Sequence, residues 1–179
     1  EIGEPVLEVE DLHVQNDNEL EAVSGVSFQV HRQEILGLAG VAGNGQTEVA
    51  EVLFGIRPYI SGRVKVAGQK LVSGNPKESI RAGMGRIPED RIETGLLMDL
   101  SVEENLILEN HGTSEYLKNG FLDFEKIHRF SEDAIETFSI KTDGRDAEAK
   151  SLSGGNLQKI ILAREVSGNP RIIVACQPT

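Results

Sequence analysis

Little in this sequence is aromatic, basic or sulfur-bearing. Its 179 residues include one cysteine, Cys176, which excludes an internal disulfide framework and fits a reducing compartment. Trp is absent and aromatics make up 4 %, so the core must be built from Val, Ile, Leu and Ala. Lys and Arg number 18 against 29 Asp and Glu, a formal net charge of −11. An acidic surface of this kind repels phosphate backbones, so no nucleic-acid partner is expected. No apolar run approaches the ~20 residues that span a bilayer, and no secretory leader is recognisable, so any membrane role is expected to run through a partner protein. There are no internal repeats and no low-complexity tract. The chain starts at Glu1 without Met and stops at Thr179 straight after an apolar strand-like run, which is the expectation for a piece of a longer polypeptide. What remains, 39 % hydrophobic and 26 % charged residues, is ordinary for one globular domain or a large part of one.

Periodicity divides the chain. Val6-Leu7-Glu8-Val9, Val23 to Val30 (with Val26, Phe28 and Val30 on one face) and Ile60 to Val66 alternate as strands do, and predict an antiparallel layer. Between them, Ile35-Leu36-Gly37-Leu38-Ala39 is continuously apolar, as for a strand buried on both faces. A glycine-rich turn follows, then Val49, Val52, Leu53 and Ile56 at helical spacing, closed by Gly55 and Pro58. Further on, Ser101-Val102-Glu103-Glu104 has the form of a capping box. Phe124, Ile127, Ala134, Ile135 and Phe138 mark one helix face. Ser153 precedes a helix carrying Leu157, Ile160 and Ile161 that ends at Gly168-Asn169-Pro170, and Ile172 to Ala175 reads as a final buried strand. Residues from His111 to Gly120 read as a loop.

The glycine turn, Gly40-Val41-Ala42-Gly43-Asn44-Gly45-Gln46-Thr47, matches the phosphate-loop pattern G-x-x-x-x-G-K-[ST] except at the lysine. Such a loop works through backbone amides and the positive end of the following helix, and its glycines let the chain curl without a Cβ in the way. Gln46 stands where the lysine bridges phosphates; its amide still donates a hydrogen bond but forgoes the charge, about 1.5–3 kcal/mol for a bond to a charged group. Thr47 keeps the hydroxyl that would touch Mg²⁺. Glu48 suits the helix dipole and disfavours a neighbouring phosphate. Taken alone, a phosphate loop lacking its lysine is weak evidence, and the segment reads first as a tight strand-to-helix turn.

A second segment, Leu152-Ser153-Gly154-Gly155-Asn156, follows about a hundred residues later, and an apolar strand ending in Pro178-Thr179 comes within about twenty more. By itself Ser-Gly-Gly is an ordinary helix cap. In this order and spacing the three segments resemble the P-loop, the L-S-G-G-Q signature and the Walker B strand of ABC ATPases, over the whole chain. Gly43 to Glu48, Ile87-Pro88-Glu89-Asp90-Arg91 with Gly95-Leu96, and Cys176-Gln177-Pro178-Thr179 are similar to the second, C-terminal ATPase half of tandem importer subunits for simple sugars and nucleosides, the nucleoside branch being the nearer.

That resemblance implies an α/β fold: a P-loop core with an N-terminal antiparallel subdomain and a helical signature subdomain, truncated at the C-terminus. Residues 1–98 and 168–179 would form the core with its antiparallel strands, and 99–167 the helical part. It implies ATP and Mg²⁺ as cofactors, weakly held or absent in this chain. The nucleotide would meet Gly40, Val41, Ala42, Gly43, Asn44, Gly45, Gln46, Thr47 and Glu48. Cys176 falls where an Asp holds the Mg²⁺ water shell, and a thiol is a poor ligand for a cation that prefers oxygen. Gln177 falls at the general-base position, where a carboxamide cannot accept a proton, a loss of ~10²–10⁴-fold in rate. Glu89 occupies the Q-loop position, as a Mg²⁺ ligand or as a surface partner of Arg86 or Arg91. The aromatic that stacks on adenine is not evident; His13 could stack weakly or be a solvated strand-end residue. All four histidines (His13, His31, His111, His128) precede Walker B, so none is the switch histidine.

The losses converge on one site, whereas Leu152 to Asn156 are nearly intact. Members of the family pair head to tail, so Ser153, Gly154 and Gly155 would cap the γ-phosphate of ATP on a partner's P-loop. The expected partners are a second ATPase half, on the same polypeptide, transmembrane permease subunits and, indirectly, a solute-binding protein, with the chain peripheral to the cytoplasmic face of the membrane. The alternatives are a soluble ABC ATPase of translation or repair, disfavoured by the acidic charge and the Pro88 to Arg91 run; a P-loop kinase, which needs no Ser-Gly-Gly segment; and a structural pseudo-ATPase.

Overall fold

A computed structural model describes residues 3–41 and 43–177, which separate into two compact units. The first holds residues up to Arg86 together with Arg171–Cys176; the second holds Ile87–Pro170 and Gln177 onward.

The first unit is organised by a four-stranded antiparallel sheet. Strands β1 (Pro5–Gln15), β2 (Glu21–His31), β3 (Ser61–Val66) and β4 (Gln69–Lys70) lie in the order β2-β1-β3-β4. Leu7 and Val9 point into the core, and so do Leu12 and Val14, one step out of the two-residue period. The slip is absorbed by a bulge between Val9 and Leu12. There Asp11 takes a left-handed φ of 46° and its amide donates to Ser27 Oγ at 2.9 Å. Its carbonyl crowds β3 so closely that a Cβ on Gly62 (φ 104°) would lie 2.4 Å away. Glycine at position 62 is therefore required by the bulge itself.

Helix α1 (Gln46–Phe54) lays Val49, Val52 and Leu53 into the same aliphatic cluster as Leu7, Val9, Val64 and Val66. Gly55 ends it in the left-handed region, its N–H donating to the carbonyls of Glu51 and Val52. Ile56, expected on the buried face, lies beyond this stop and is exposed. Arg57 then bonds Glu51 (2.5 Å), Asp17 (2.7 Å) and the Gln15 carbonyl (3.1 Å), tying the β1–β2 turn to the helix end. Helix α2 (Pro76–Arg81) starts at Asn75, whose side chain accepts from the Glu78 amide. Strands β5 (Met84–Ile87) and β8 (Ile172–Ala175) form a two-stranded sheet, with the Arg171 amide bonded to the Gly83 carbonyl at 2.7 Å.

The predicted strand Ile35–Ala39 does not form. The segment is irregular and solvent-facing, with Ile35 98 % exposed. A strand buried on both faces needs a ladder partner, and among the described residues none pairs with it. The final strand is likewise less buried than its composition predicts: Ile173 and Ala175 face outward because β5 is its one described neighbour.

The second unit is mainly helical. Helix α3 (Val102–Ile107) opens with the predicted capping box: Ser101 Oγ accepts from the Glu104 amide at 3.1 Å, and Glu104 Oε2 accepts from the Ser101 amide at 2.8 Å. The predicted loop from His111 to Gly120 contains the first strand of a hairpin, β6 (Leu117–Lys118) and β7 (Phe121–Leu122), turned by Asn119 and Gly120 at φ 55° and 84°. Helix α4 (Phe124–Thr137) buries Ile127, Ser131 and Ala134; Phe124, expected on that face, is exposed because it occupies the first, outermost turn. Helix α5 (Gly154–Ser167) buries Leu157, Ile160 and Ile161 and stops at Gly168. Arg91–Gly95 forms one π-helical turn capped by Asp90, packed so tightly on α5 that a Cβ at Gly95 would lie 2.6 Å from Ile161 Cδ1. The buried Arg164 guanidinium donates to the Gly95 carbonyl at 3.0 Å.

One buried polar side chain organises the approach to α3. Asn105, fully buried, accepts from the Leu97 amide and donates to the carbonyls of Leu97, Leu100 and Ser101. Asn105→Ala strands these groups in an apolar setting, so it should destabilise the fold by about 2 kcal/mol, seen as a lower urea midpoint at unchanged slope. A midpoint equal to that of the parent would rule this out.

Candidate functional site

The glycine loop is shaped by its contact with β2. Gly45, the N-cap of α1, has φ 91°, and a Cβ there would lie 2.5 Å from the Ala22 carbonyl oxygen. Only glycine lets the helix start this close to the sheet. No side chain caps α1, so the amides of its first turn retain the orientation that binds anions at helix N-termini. Val41, Gly43, Asn44 and Thr47 are exposed and Glu48 is half-buried; Ala42 lies outside the described residues. The Asn44 amide bonds the Val41 carbonyl at 3.2 Å, which closes the turn. Gln46 bends back over the loop: a Cβ on Gly40 would lie 2.2 Å from its Nε2. The amide that replaces the lysine thus uses the space that Gly40 leaves.

These residues fit a phosphate through backbone amides, but not a tightly held Mg²⁺. Thr47 offers a single exposed hydroxyl, and Cys176, half-buried just after β8, carries sulfur, a poor ligand for a cation that takes oxygen. Within the second unit, Gln177 (φ 44°) donates from Nε2 to Glu89 Oε1 at 2.6 Å. The two groups, 88 positions apart, thus bond each other, an amide to a carboxylate. Pro178 and Thr179 lie outside the described residues.

The Leu152–Asn156 segment is built differently. Ser153 is the N-cap of α5 but makes no side-chain capping bond, and it is exposed together with Gly154 and Gly155. A Cβ at either glycine would meet nothing within 4 Å, and neither has a positive φ. Nothing inside the chain calls for glycine at these two positions. The half-buried Asn156 bonds Ser153 Oγ and the Lys141 amide, and Lys159 Nζ donates to the Ser139 carbonyl at 2.6 Å. Beside them a groove of about 460 Å³ is lined by Ile140–Asp143, Ser151 and Leu152. Sequence reasoning passed over Ser139 and Lys141, and no motif marks them; Lys159 closes the segment that begins at Leu152, without a role given to it.

His13, the one residue considered for stacking, is instead engaged by carboxylates, Glu21 at 2.7 Å and Asp11 at 3.3 Å. The hydrogen bond with Glu21 is the main cause of a raised imidazole pKa, opposed by desolvation and aided by Asp11. The same bond holds the Glu21 carboxyl below its usual range.

A sequence profile of the family described as ABC transporter matches residues 23–179. The chain is 37 % identical over 174 residues to the nucleoside import ATP-binding protein NupA of Lactococcus lactis, covering 97 % of the chain and 34 % of that protein. It is 41 % identical over 179 residues to the glucose import ATP-binding protein TsgD13 of Haloferax volcanii, covering 99 % and 32 %. The chain therefore spans about a third of the length of these relatives. Among solved structures it is similar to a dimeric ATP-binding cassette in a post-hydrolysis state bound to ADP and Pi, with TM-score 0.74, 18 % identity, and coverage of 97 % of the chain and 74 % of that structure. A nucleotide-free cassette from an ABC transporter gives TM-score 0.73 at 23 % identity, covering 98 % and 70 %. These likenesses establish the fold, α/β with an antiparallel sheet and a helical part.

The His13–Glu21 pair predicts a pH dependence. A raised histidine pKa stabilises the fold below its ordinary 6.5 and ceases to as pH rises through the folded value. A lowered Glu21 pKa contributes above its ordinary 4.5 and is lost as pH falls through the folded value. The pair is therefore strongest between these limits. His13→Gln should flatten the decline in Tm as pH rises above 6.5, measured by thermal unfolding. An unchanged Tm–pH profile would refute the assignment.

Proposed function

The chain belongs to the ABC transporter family, and from that membership we propose that it is the degenerate half of a paired importer ATPase, lending Ser153 to Asn156 to a nucleotide held on a second ATPase half. The observation that carries this reading is the contrast between the two glycine segments. Gly45 is accounted for inside the chain, by its left-handed φ and by the Ala22 carbonyl. Gly154 and Gly155 are not, and their exposed, Cβ-free surface at the start of α5 suits close approach by an anion from outside.

ATPase domains of this family bind ATP with Mg²⁺. In this chain the P-loop side is weakened: Gln46 is neutral, Cys176 replaces a carboxylate, and Gln177 cannot act as a base. Gly40 to Glu48 hold nucleotide loosely or not at all, and the isolated chain does not hydrolyse ATP. Its two units are parts of one nucleotide-binding domain. The second ATPase half sits on the same polypeptide, which accords with relatives about three times as long. Transmembrane permease subunits are the further partners, and a solute-binding protein acts through them. The names of the relatives favour a sugar or nucleoside as the transported solute. Among the described residues no helix is long and apolar enough to cross a membrane, and the chain is peripheral, at the cytoplasmic face.

Two measurements test this. In the complete ATPase, Ser153→Arg fills the open surface and should abolish turnover; a normal rate would sink the proposal. In the isolated chain, calorimetry should find ATP binding weaker than micromolar. Gln46→Lys should tighten it roughly ten- to hundredfold, the equivalent of about 1.5–3 kcal/mol for a charge-assisted bond. Micromolar affinity in the unaltered chain would contradict a degenerate P-loop.

A further inference from the structure

Asn156 lies in the first turn of α5, and its carboxamide has partners on both sides. Oδ1 accepts from the Lys141 amide at 2.9 Å, and Nδ2 lies 3.0 Å from Ser153 Oγ. The orientation of the amide is forced, because a backbone N–H only donates and the oxygen must face Lys141. The nitrogen therefore faces Ser153, and since a carboxamide nitrogen only donates, Ser153 Oγ is the acceptor. A hydroxyl that accepts at its oxygen keeps its own proton for a different partner. Ser153 spends none of its bonding on capping α5 and is exposed. The Lys141 end is itself fixed, since Lys159, one turn along α5 from Asn156, holds the Ser139 carbonyl, and Thr142 Oγ1 closes the following turn on the Gly144 carbonyl at 2.9 Å.

We propose that Asn156 is a positioning residue for Ser153, holding the hydroxyl oxygen so that its proton is presented outward to a phosphate oxygen of the nucleotide on the partner half. This rests on the signature reading given above and adds to it how the serine is aimed. The Ser139–Gly144 segment is the anchor that holds the amide, through the Lys141 amide. Preorganised donors act most strongly where negative charge develops during reaction, so misdirecting the hydroxyl acts on turnover rather than on nucleotide affinity.

The test is a double-variant cycle in the complete ATPase, with kcat and KM for MgATP measured for Ser153→Ala, Asn156→Ala and the two combined. Each single variant is expected to lower kcat about tenfold with KM within about twofold, and the combined variant to be no slower than Ser153→Ala alone. Losses that multiply would mean that Asn156 acts on the fold rather than through Ser153, and would overturn the proposal. Asn156→Asp guards against misfolding, because a carboxylate still accepts from Lys141 but cannot donate to Ser153, which then turns its proton inward. It should keep the parent Tm within a few degrees and lose kcat as Asn156→Ala does; a parent-like kcat would overturn the proposal. If Ser153→Ala slows turnover while both Asn156 variants do not, only the positioning role fails. A Ser153→Ala enzyme with the parent rate sinks both this role and the signature reading.

Discussion

The approach of α1 to β2 at Gly45 sets the conformation of everything around the glycine loop. A Cβ there would sit 2.5 Å from the Ala22 carbonyl, so the position of the helix start against β2 depends on the absence of one carbon. The sheet that receives the helix is itself held by a similar economy. Gly62 yields to the Asp11 carbonyl, the bulge turns Leu12 and Val14 back to the core face, and the aliphatic cluster closes over Val49, Val52 and Leu53. With so few aromatics, shape is supplied by backbone approach and by small β-branched side chains, not by large rings.

The antiparallel layer was legible because each strand has one buried face, and alternation is the direct record of that. Helices α3 and α5 were legible from their start and stop residues: the Ser101 capping box, and Ser153 with Gly168. The run Ile35–Ala39 misled because continuous hydrophobicity reports that a segment is suited to burial, not that a ladder partner is present. Ile56 and Phe124 misled for a related reason: both continue a helical period past the point where the backbone ends it or leaves it uncovered. The hairpin at Asn119-Gly120 was legible and passed over, since an Asn-Gly pair is the strongest short-range sign of a two-residue turn. The bulge in β1 was signalled only indirectly, by glycines at positions 25 and 62 inside alternating segments.

The candidate site was legible at the level of segments and illegible at the level of contacts. Spacing brought Gly40 to Thr47, Leu152 to Asn156 and Cys176-Gln177 into one pattern. It could not reveal that Gln177 bonds Glu89 or that Asn156 bonds Lys141, since nothing in composition or period links residues so placed. In both cases an amide finds a partner that complements it, and each such bond defines what the residue is no longer available to do.

Availability is what separates the two glycine segments, and it has a simple physical basis. A phosphate site needs donors that are oriented but unspent. At the glycine loop orientation survives in the backbone, while the Gln46 amide leans into the gap over Gly40. Within the second unit, Glu89 and Gln177 satisfy each other. At the start of α5 the reverse holds: Ser153 accepts from Asn156 and is spared from capping, and the two following glycines keep the approach clear without being required by any neighbour. The bare glycines at the exposed start of α5 gain nothing from a neighbour inside the fold, since a Cβ at either would meet no atom within 4 Å. An open surface of this kind is what the role proposed for Ser153 to Asn156 requires.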